Sequence, residues 1–337
     1  MTGDLRLGLI LGYWGATYED HLDLVLEAER VGFESVWTSE AYGSDAIAPL
    51  CWYGAHTTRI TLGTAIVQLS ARSPAATAMT AATIDHLCGG RFVLGLGVSG
   101  PQVVEGWYGR PFPQPLARTR EYIDILRAAW RREAPVTNPG PHYPLPYPGG
   151  TGLGKPLKLT VHPLRPSIPI YLGAEGPRNV ALATELAEGW LPVFYSPERS
   201  PAVYAEPLAN APPGFEIACP VTVVLGDDVA EALSVVKWHM AFYIGGMGAK
   251  DANFHFDVVS RTGFEEEARR VQELFMDGRR EEAMRAVPDD LADEISLVGP
   301  AERIRERLQP WKESPVTQLL AGTRDPAALR LLADELL

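Results

Sequence analysis

Short apolar runs alternate with helical patterns along nearly the whole of this chain, and that alternation is what most constrains its fold. Residues 5–11 are almost continuously apolar, as a strand covered on both faces must be. A helical pattern follows from Glu19 through Leu22, Val25 and Leu26, and Gly32 stops it. Residues 35–39, 60–68 and 92–98 supply three more strands. Residues 46–56, 74–87 and 116–130 supply the helices between and after them. Four strand–helix pairs in about 130 residues give the ~30-residue spacing of parallel strands joined by helical crossovers.

Between residues 133 and 169 the alternation stops. Prolines 135, 139, 141, 144, 146, 148, 156, 163, 166 and 169 crowd this stretch, with Gly149, Gly150, Gly152 and Gly154 among them. Long irregular insertions in regular domains are binding loops and lids, or else disordered linkers. Tyr143, Leu145, Tyr147 and Leu153 favour a packed one. Strands then resume at 168–172, 189–194, 217–225 and 317–320. Helices are expected at 180–187, 202–208, 229–243, 301–308 and 326–336, and a largely helical insertion at 245–300. The expected fold class is α/β, a (β/α)8 TIM barrel over residues 1–337, with insertions after strands four and seven. An open doubly wound sheet is the alternative, and it requires a switch point that the pattern does not locate.

Composition narrows the function classes. The 46% apolar and 21% charged fractions are those of a globular chain, and nothing approaches the ~18 apolar residues of a membrane span. A net charge of −12 argues against a nucleic-acid surface. Cys51, Cys88 and Cys219 are odd in number and widely spaced, which suits reduced thiols in a cytoplasmic protein.

Candidate chemistry centres on strand ends. Tyr171-Leu172-Gly173-Ala174-Glu175-Gly176-Pro177 runs from a strand into a helix. Proline suits the first helical position, and the amides of that first turn suit a phosphate. An ordinary strand-to-helix turn reads the same way, so both remain open here. Glu40 closes the second strand, where it faces a barrel's active site or is a solvated loop carboxylate. Trp107 and Tyr108 form an aromatic wall or cover the barrel mouth. Gly95 to Gly100 spells G-x-G-x-x-G, but its first two glycines lie inside a strand and Pro101 interrupts a clean helix start, outside the context of a dinucleotide turn. Glycines there suggest something flat against the backbone. The seven histidines show no metal-ligand spacing, and no serine sits in a nucleophile elbow. If this chain is an enzyme, a bound cofactor is expected to carry its reaction.

Three stretches resemble the bacterial luciferase-like family. They are Gly63-Thr64-Ala65-Ile66, Arg72-Ser73-Pro74-Ala75, and the run Ile84-Asp85-His86-Leu87-Cys88-Gly89-Gly90-Arg91-Phe92-Val93-Leu94-Gly95-Leu96-Gly97. The resemblance spans about residues 5–194 and resumes in the last two strands. The stretch from Gly97 through Trp107 to Gly109 is similar to actinobacterial oxidoreductases that use the deazaflavin coenzyme F420. Such barrels hold a flavin or deazaflavin at their C-terminal face.

The resemblance implies roles by position. Ala65-Ile66 matches a non-prolyl cis peptide that bulges behind the deazaflavin ring. Glu40 matches an acidic residue near that ring and is the expected catalytic residue. Val98, Ser99 and Gly100 would line the ring's edge, and Gln68 the ring or its ribityl chain. Gly173, Ala174, Glu175 and Gly176 would bind the cofactor phosphate. Sugar-phosphate dehydrogenases of the family place a histidine after the strand-two acid, whereas Ala41 and Tyr42 stand here. A glutamate after the fourth-strand glycine is likewise replaced by Gly100 and Pro101. The proton donor is therefore unassigned. The expected function is hydride transfer between F420 and a small organic substrate in a cytoplasmic homodimer, with the proline-rich insertion covering the substrate. FMN on the same fold and a non-redox barrel acting on a phosphorylated substrate are the alternatives.

Overall fold

The computed structural model describes residues 5–248 and 252–337; residues 1–4 and 249–251 of the expected domain lie outside the described residues. Its strands are β1 (Arg6–Gly12), β2 (Ser35–Thr38), β3 (Thr61–Thr64), β4 (Val67–Gln68), β5 (Phe92–Gly97), β6 (Ile170–Gly173), β7 (Gly189–Leu191), β8 (Glu216–Leu225), β9 (Ser296–Gly299) and β10 (Gln318–Gly322). The helices α1 (Leu22–Arg30), α2 (Ile47–His56), α3 (Pro74–Leu87), α4 (Pro101–Gly106), α5 (Pro115–Arg131), α6 (Pro177–Leu186), α7 (Ser200–Val203) and α8 (Ala205–Leu208) intervene in order. The rest are α9 (Val229–Gly246), α10 (Phe254–Arg261), α11 (Glu265–Met276), α12 (Arg280–Ala286), α13 (Asp289–Glu294), α14 (Ala301–Glu313) and α15 (Pro326–Leu336).

All named strand pairs are parallel. Because β10 pairs β1 on one side and β8 on the other, the sheet closes on itself. β3 and β4 are two halves of one barrel strand, so the barrel has the expected eight strands. Leu7, Leu9, Leu62, Leu94, Leu96, Leu172 and Leu319 face the helices as one buried core. Trp37, Val93, Leu191, Ala218 and Leu320 fill the barrel interior. A second core beneath α9 to α13 contains Met240, Ile244, Val271 and Leu291.

Three expectations are corrected. Ser296–Gly299 is a strand, paired with the end of β8, inside the stretch expected to be helical. Its four buried residues are too few to show a period. Pro101, which the sequence suggests as an obstacle to a helix, occupies the first turn of α4 with Gly100 as its N-cap. The proline-rich insertion, expected to cover the substrate, follows α5. A helix leaving a barrel strand returns the chain to the strands' N-terminal end, so the insertion starts and finishes there. Arg132 donates to the Leu159 carbonyl at 2.6 Å, and Arg165 pairs with the buried Asp85 at 2.7 Å, which pins its base. Only its tip climbs. Glu121 accepts from the amides of His142 and Tyr143, each at 3.1 Å, and Tyr143 packs edge-on against Tyr122. The segment is packed, but it does not cross the barrel mouth.

The third strand is where the ladder is interrupted. Gly63 pairs with Val93 and Val67 with Leu96, so three residues on one side face two on the other. This is a β-bulge, with Ala65–Ile66 in the cis form. The Thr64 hydroxyl accepts from the Gly95 amide and donates to the Gly95 carbonyl, both at 2.8 Å. A Cβ on Gly95 would overlap the Thr64 carbonyl, which is why glycine stands there. Thr64→Val keeps the shape but orphans both buried groups of Gly95. A loss of about 1–3 kcal/mol in urea unfolding is expected, with Thr64→Ser near wild type; an unchanged midpoint for the valine variant would refute this.

Candidate functional site

The bulge sets the floor of the site. Ile66 lies over two neighbouring strand ends: a Cβ on Gly97 would meet its side chain at 2.8 Å and one on Gly173 at 3.1 Å. Gly97 is therefore needed to seat Ile66, and Gly173 leaves it room. Gly173 was expected only as part of a phosphate turn, and the structure adds this packing role. Strand two secures the bulge from its other side. The Ala65 amide donates to the Thr38 carbonyl at 2.7 Å, the Ser39 hydroxyl to the Ala65 carbonyl at 2.6 Å, and the Glu40 amide to the Ile66 carbonyl at 3.3 Å. Val98 and Ser99 follow Gly97 at the same rim, Ser99 in the left-handed region at φ 58°.

Glu40 is buried and its oxygens are occupied. Its carboxylate accepts from Arg72 at 2.7 and 3.0 Å, from the Gln68 amide at 3.0 Å and from the Ala46 amide at 3.4 Å. Arg72 also bonds Asp45. The Gln68 side-chain nitrogen reaches the carbonyls of Glu40 and Ala41, each at 3.2 Å. Its oxygen is buried and without a partner among the described residues, as is the Ser70 hydroxyl. Such orphaned groups call for a ligand or water. Sequence reasoning missed Arg72 as a site residue, although it lies in one of the quoted motifs.

The turn after β6 is held from behind. The Trp190 indole donates to the Ala174 carbonyl at 2.7 Å, and the Tyr204 hydroxyl to the Glu175 carbonyl at 3.0 Å. Gly176 caps α6, with Pro177 in the first turn, and a Cβ there would meet nothing within 4 Å. No side chain caps the helix, which leaves its first-turn amides open.

The mouth is crossed by the start of the insertion that follows β8, rather than by the proline-rich one. Tyr243 of α9 lies beside Tyr13, which follows β1. Tyr42 after β2 donates to the Met247 sulfur at 3.5 Å. Phe254 of α10 lies 6.3 Å from Phe112, beyond β5. His255 approaches Glu175 at 3.0 Å. Phe194, beyond β7, faces the rings of His239, Tyr243 and His255 at 5.7–6.0 Å. Burial raises the pKa of Tyr13 and Tyr243. His239 is lowered by the surrounding protein first and then by His255. None of these aromatic and histidine side chains carries a motif; only the fold assembles them. Tyr108 donates to the Ala41 carbonyl at 3.3 Å, while Trp107 is exposed.

Beside this mouth lies a cavity of about 430 Å³ lined by Ser70, Arg72, Val98, Arg110, Arg118 and His142, among others. Its three guanidinium groups suit an anion. The tip of the proline-rich insertion contributes only Pro141, His142 and Tyr143 to its wall.

A closed parallel barrel with a bulged strand beneath a polar and aromatic mouth defines a (β/α)8-barrel enzyme. Residues 6–318 match the luciferase-like monooxygenase family, and the chain belongs to that family. It is 52% identical to a Mycobacterium tuberculosis protein named "putative coenzyme F420-dependent oxidoreductase", with 99% of each chain covered. A 5,10-methylenetetrahydromethanopterin reductase of Archaeoglobus fulgidus is 28% identical, over 88% of this chain and 87% of its own. The same fold is found in the coenzyme F420-dependent tetrahydromethanopterin reductase of Methanopyrus kandleri, at a TM-score of 0.76, 23% identity and 99% coverage of both chains.

Arg72→Met leaves the Glu40 carboxylate buried without its ion-pair partner. A loss of roughly 3 kcal/mol or more is expected in urea unfolding, and a change below about 1 kcal/mol would contradict the pairing.

Proposed function

We propose that this chain is an F420-dependent oxidoreductase passing a hydride between bound deazaflavin and an organic substrate. The observation that carries the reading is the floor of the site, with Ile66 seated on Gly97 and Gly173. The full-length relative in M. tuberculosis points to F420 over FMN. Deazaflavin supplies obligate hydride chemistry, because carbon replaces the ring nitrogen that would react with oxygen.

Ala65, Ile66, Gln68, Val98, Ser99 and Gly100 hold the ring. The orphaned oxygen of Gln68 is free to accept from it. Gly173, Ala174, Glu175 and Gly176 hold the phosphate through the amides at the start of α6. Glu40, expected as a catalytic group, serves better as the anchor that ties the bulge to Arg72, since its oxygens are already bonded. The chain works in the cytoplasm; among the described residues no helix is long and apolar enough to cross a membrane. It forms a homodimer through neighbouring exposed apolar side chains on α2, α3 and the segment beside His86, namely Trp52, Met79, Leu87, Val161 and Leu164.

Titration of the purified protein with deazaflavin and with FMN, followed by fluorescence quenching, tests the cofactor. Deazaflavin is expected to bind, and Gly176→Val to weaken it about tenfold or more, ~1.4 kcal/mol. FMN binding without deazaflavin binding would overturn the assignment. Unchanged affinity in the valine variant would remove the turn from the site. For the dimer, sedimentation equilibrium should give two copies for the wild type and one for Leu87→Glu; a wild-type monomer would refute it.

A further inference from the structure

The proposed hydride transfer needs a proton source, and the position after Glu40, where sugar-phosphate dehydrogenases of this family carry a histidine, is Ala41. Glu40 has its oxygens committed to Arg72 and two amides. A histidine–carboxylate contact stands at the mouth. His255 Nδ1 and Glu175 Oε2 are 3.0 Å apart, and their side chains are only 14% and 16% exposed. The two atoms are not aligned as a hydrogen bond, and neither has another partner among the described residues. Buried facing groups of this kind are kept for use or for a ligand.

The surroundings hold the imidazole in place. Tyr243 lies edge-on to it at 4.8 Å and Phe194 at 6.0 Å. The groups that face the pair come from several elements: His239 and Tyr243 from α9, with Tyr13 behind Tyr243, and Asp257 and Arg261 from α10 itself. Arg261 and Tyr204 both donate to the Glu175 carbonyl, so the carboxylate stands on a fixed backbone. Glu175 also sits two residues beyond Gly173, on which the bulge residue Ile66 rests. The pair therefore belongs to the rim of the proposed cofactor site. An imidazole whose Nδ1 faces a carboxylate has only Nε2 left for a ligand.

We propose that His255 gives the proton to the oxygen of a flat, apolar carbonyl substrate and that Glu175 is the positioning residue that fixes its ring. This rests on the F420-dependent reading above. Hydride adds to the carbonyl carbon, the C=O π pair moves to oxygen, and that oxygen forms its O–H bond with the proton from His255 Nε2. The carbonyl gains two electrons and becomes an alcohol. Reduced deazaflavin loses the same two, and the imidazole regains its proton from water. The aromatic walls of Phe194, Tyr243 and His239 suit an aryl or cyclic ketone.

The test mixes protein carrying chemically reduced deazaflavin, under anaerobic conditions, with acetophenone or cyclohexanone, and follows reoxidation by absorbance. The wild type should turn over. His255→Asn should lower kcat roughly a hundredfold or more, with the deazaflavin Kd held within about threefold. Glu175→Gln should lower kcat, Glu175→Asp should recover most of it, and added imidazole should restore part of the rate of His255→Gly. A second measurement does not depend on turnover. Imidazole ¹⁵N-selected NMR of protein loaded with oxidised deazaflavin should show a protected Nδ1–H of His255, lost in Glu175→Gln. Full kcat in His255→Asn, no protected resonance in the wild type, or a wild type that binds deazaflavin but is reoxidised by neither ketone would each overturn the proposal. Failure to bind deazaflavin at all would sink the cofactor reading and this one with it, and the binding titration tells that case apart.

Discussion

A closed barrel has no free edge, so an irregularity in one strand must be absorbed by its neighbours. Here the irregularity is the bulge at Ala65–Ile66, and the contact that makes it tolerable is the Thr64 hydroxyl on both backbone groups of Gly95. Strand two completes the repair by bonding Ala65 and Ile66 from the other side. With its polar groups paired, the bulge turns Ile66 onto the neighbouring strand ends. A side chain on Gly97 would stand in its way, and Gly173 leaves it room. The glycines of strands four and five and the threonine of strand three are thus answers to a single steric problem.

The same repair brings charge into the site. Glu40 reaches the bulge through its amide and holds Arg72 through its carboxylate. A buried carboxylate is tolerated because a guanidinium and two amides satisfy it. Arg72 in turn faces a cavity that it shares with Arg110 and Arg118. The rim is therefore cationic on the side of strands three and four, within a chain whose net charge is −12. On the far side the rim is aromatic, with Tyr13, Phe194, His239, Tyr243 and His255. That division matches a ligand with an anionic end and a reaction partner that is flat and apolar.

How much of this could be read in advance depended on range. The parallel barrel was legible because each strand–helix unit is local: about 30 residues carry their own period, their own stop signals and their own capping residues. The cis bulge was reachable only through the resemblance, since no propensity marks Ala65 or Ile66. The short strand Ser296–Gly299 carries no legible pattern because its residues are buried on both faces and too few to alternate. The mouth cover was placed on the wrong insertion. Proline content drew attention to residues 133–169, but connectivity puts that segment at the opposite end of the strands, with only its tip at the rim.

By itself the sequence determined the alternation, the number of barrel strands and the glycines that a close backbone approach demands. These follow from side-chain periodicity and from the conformations open to a residue without a Cβ. Tertiary structure alone decided what each polar side chain does. Glu40 became an anchor because Arg72, 32 residues away, folds back onto it. Glu175 acquired His255 as a neighbour only because α10 crosses the mouth. Contacts between residues far apart in the chain leave no local pattern, and the closed barrel is what brings them together.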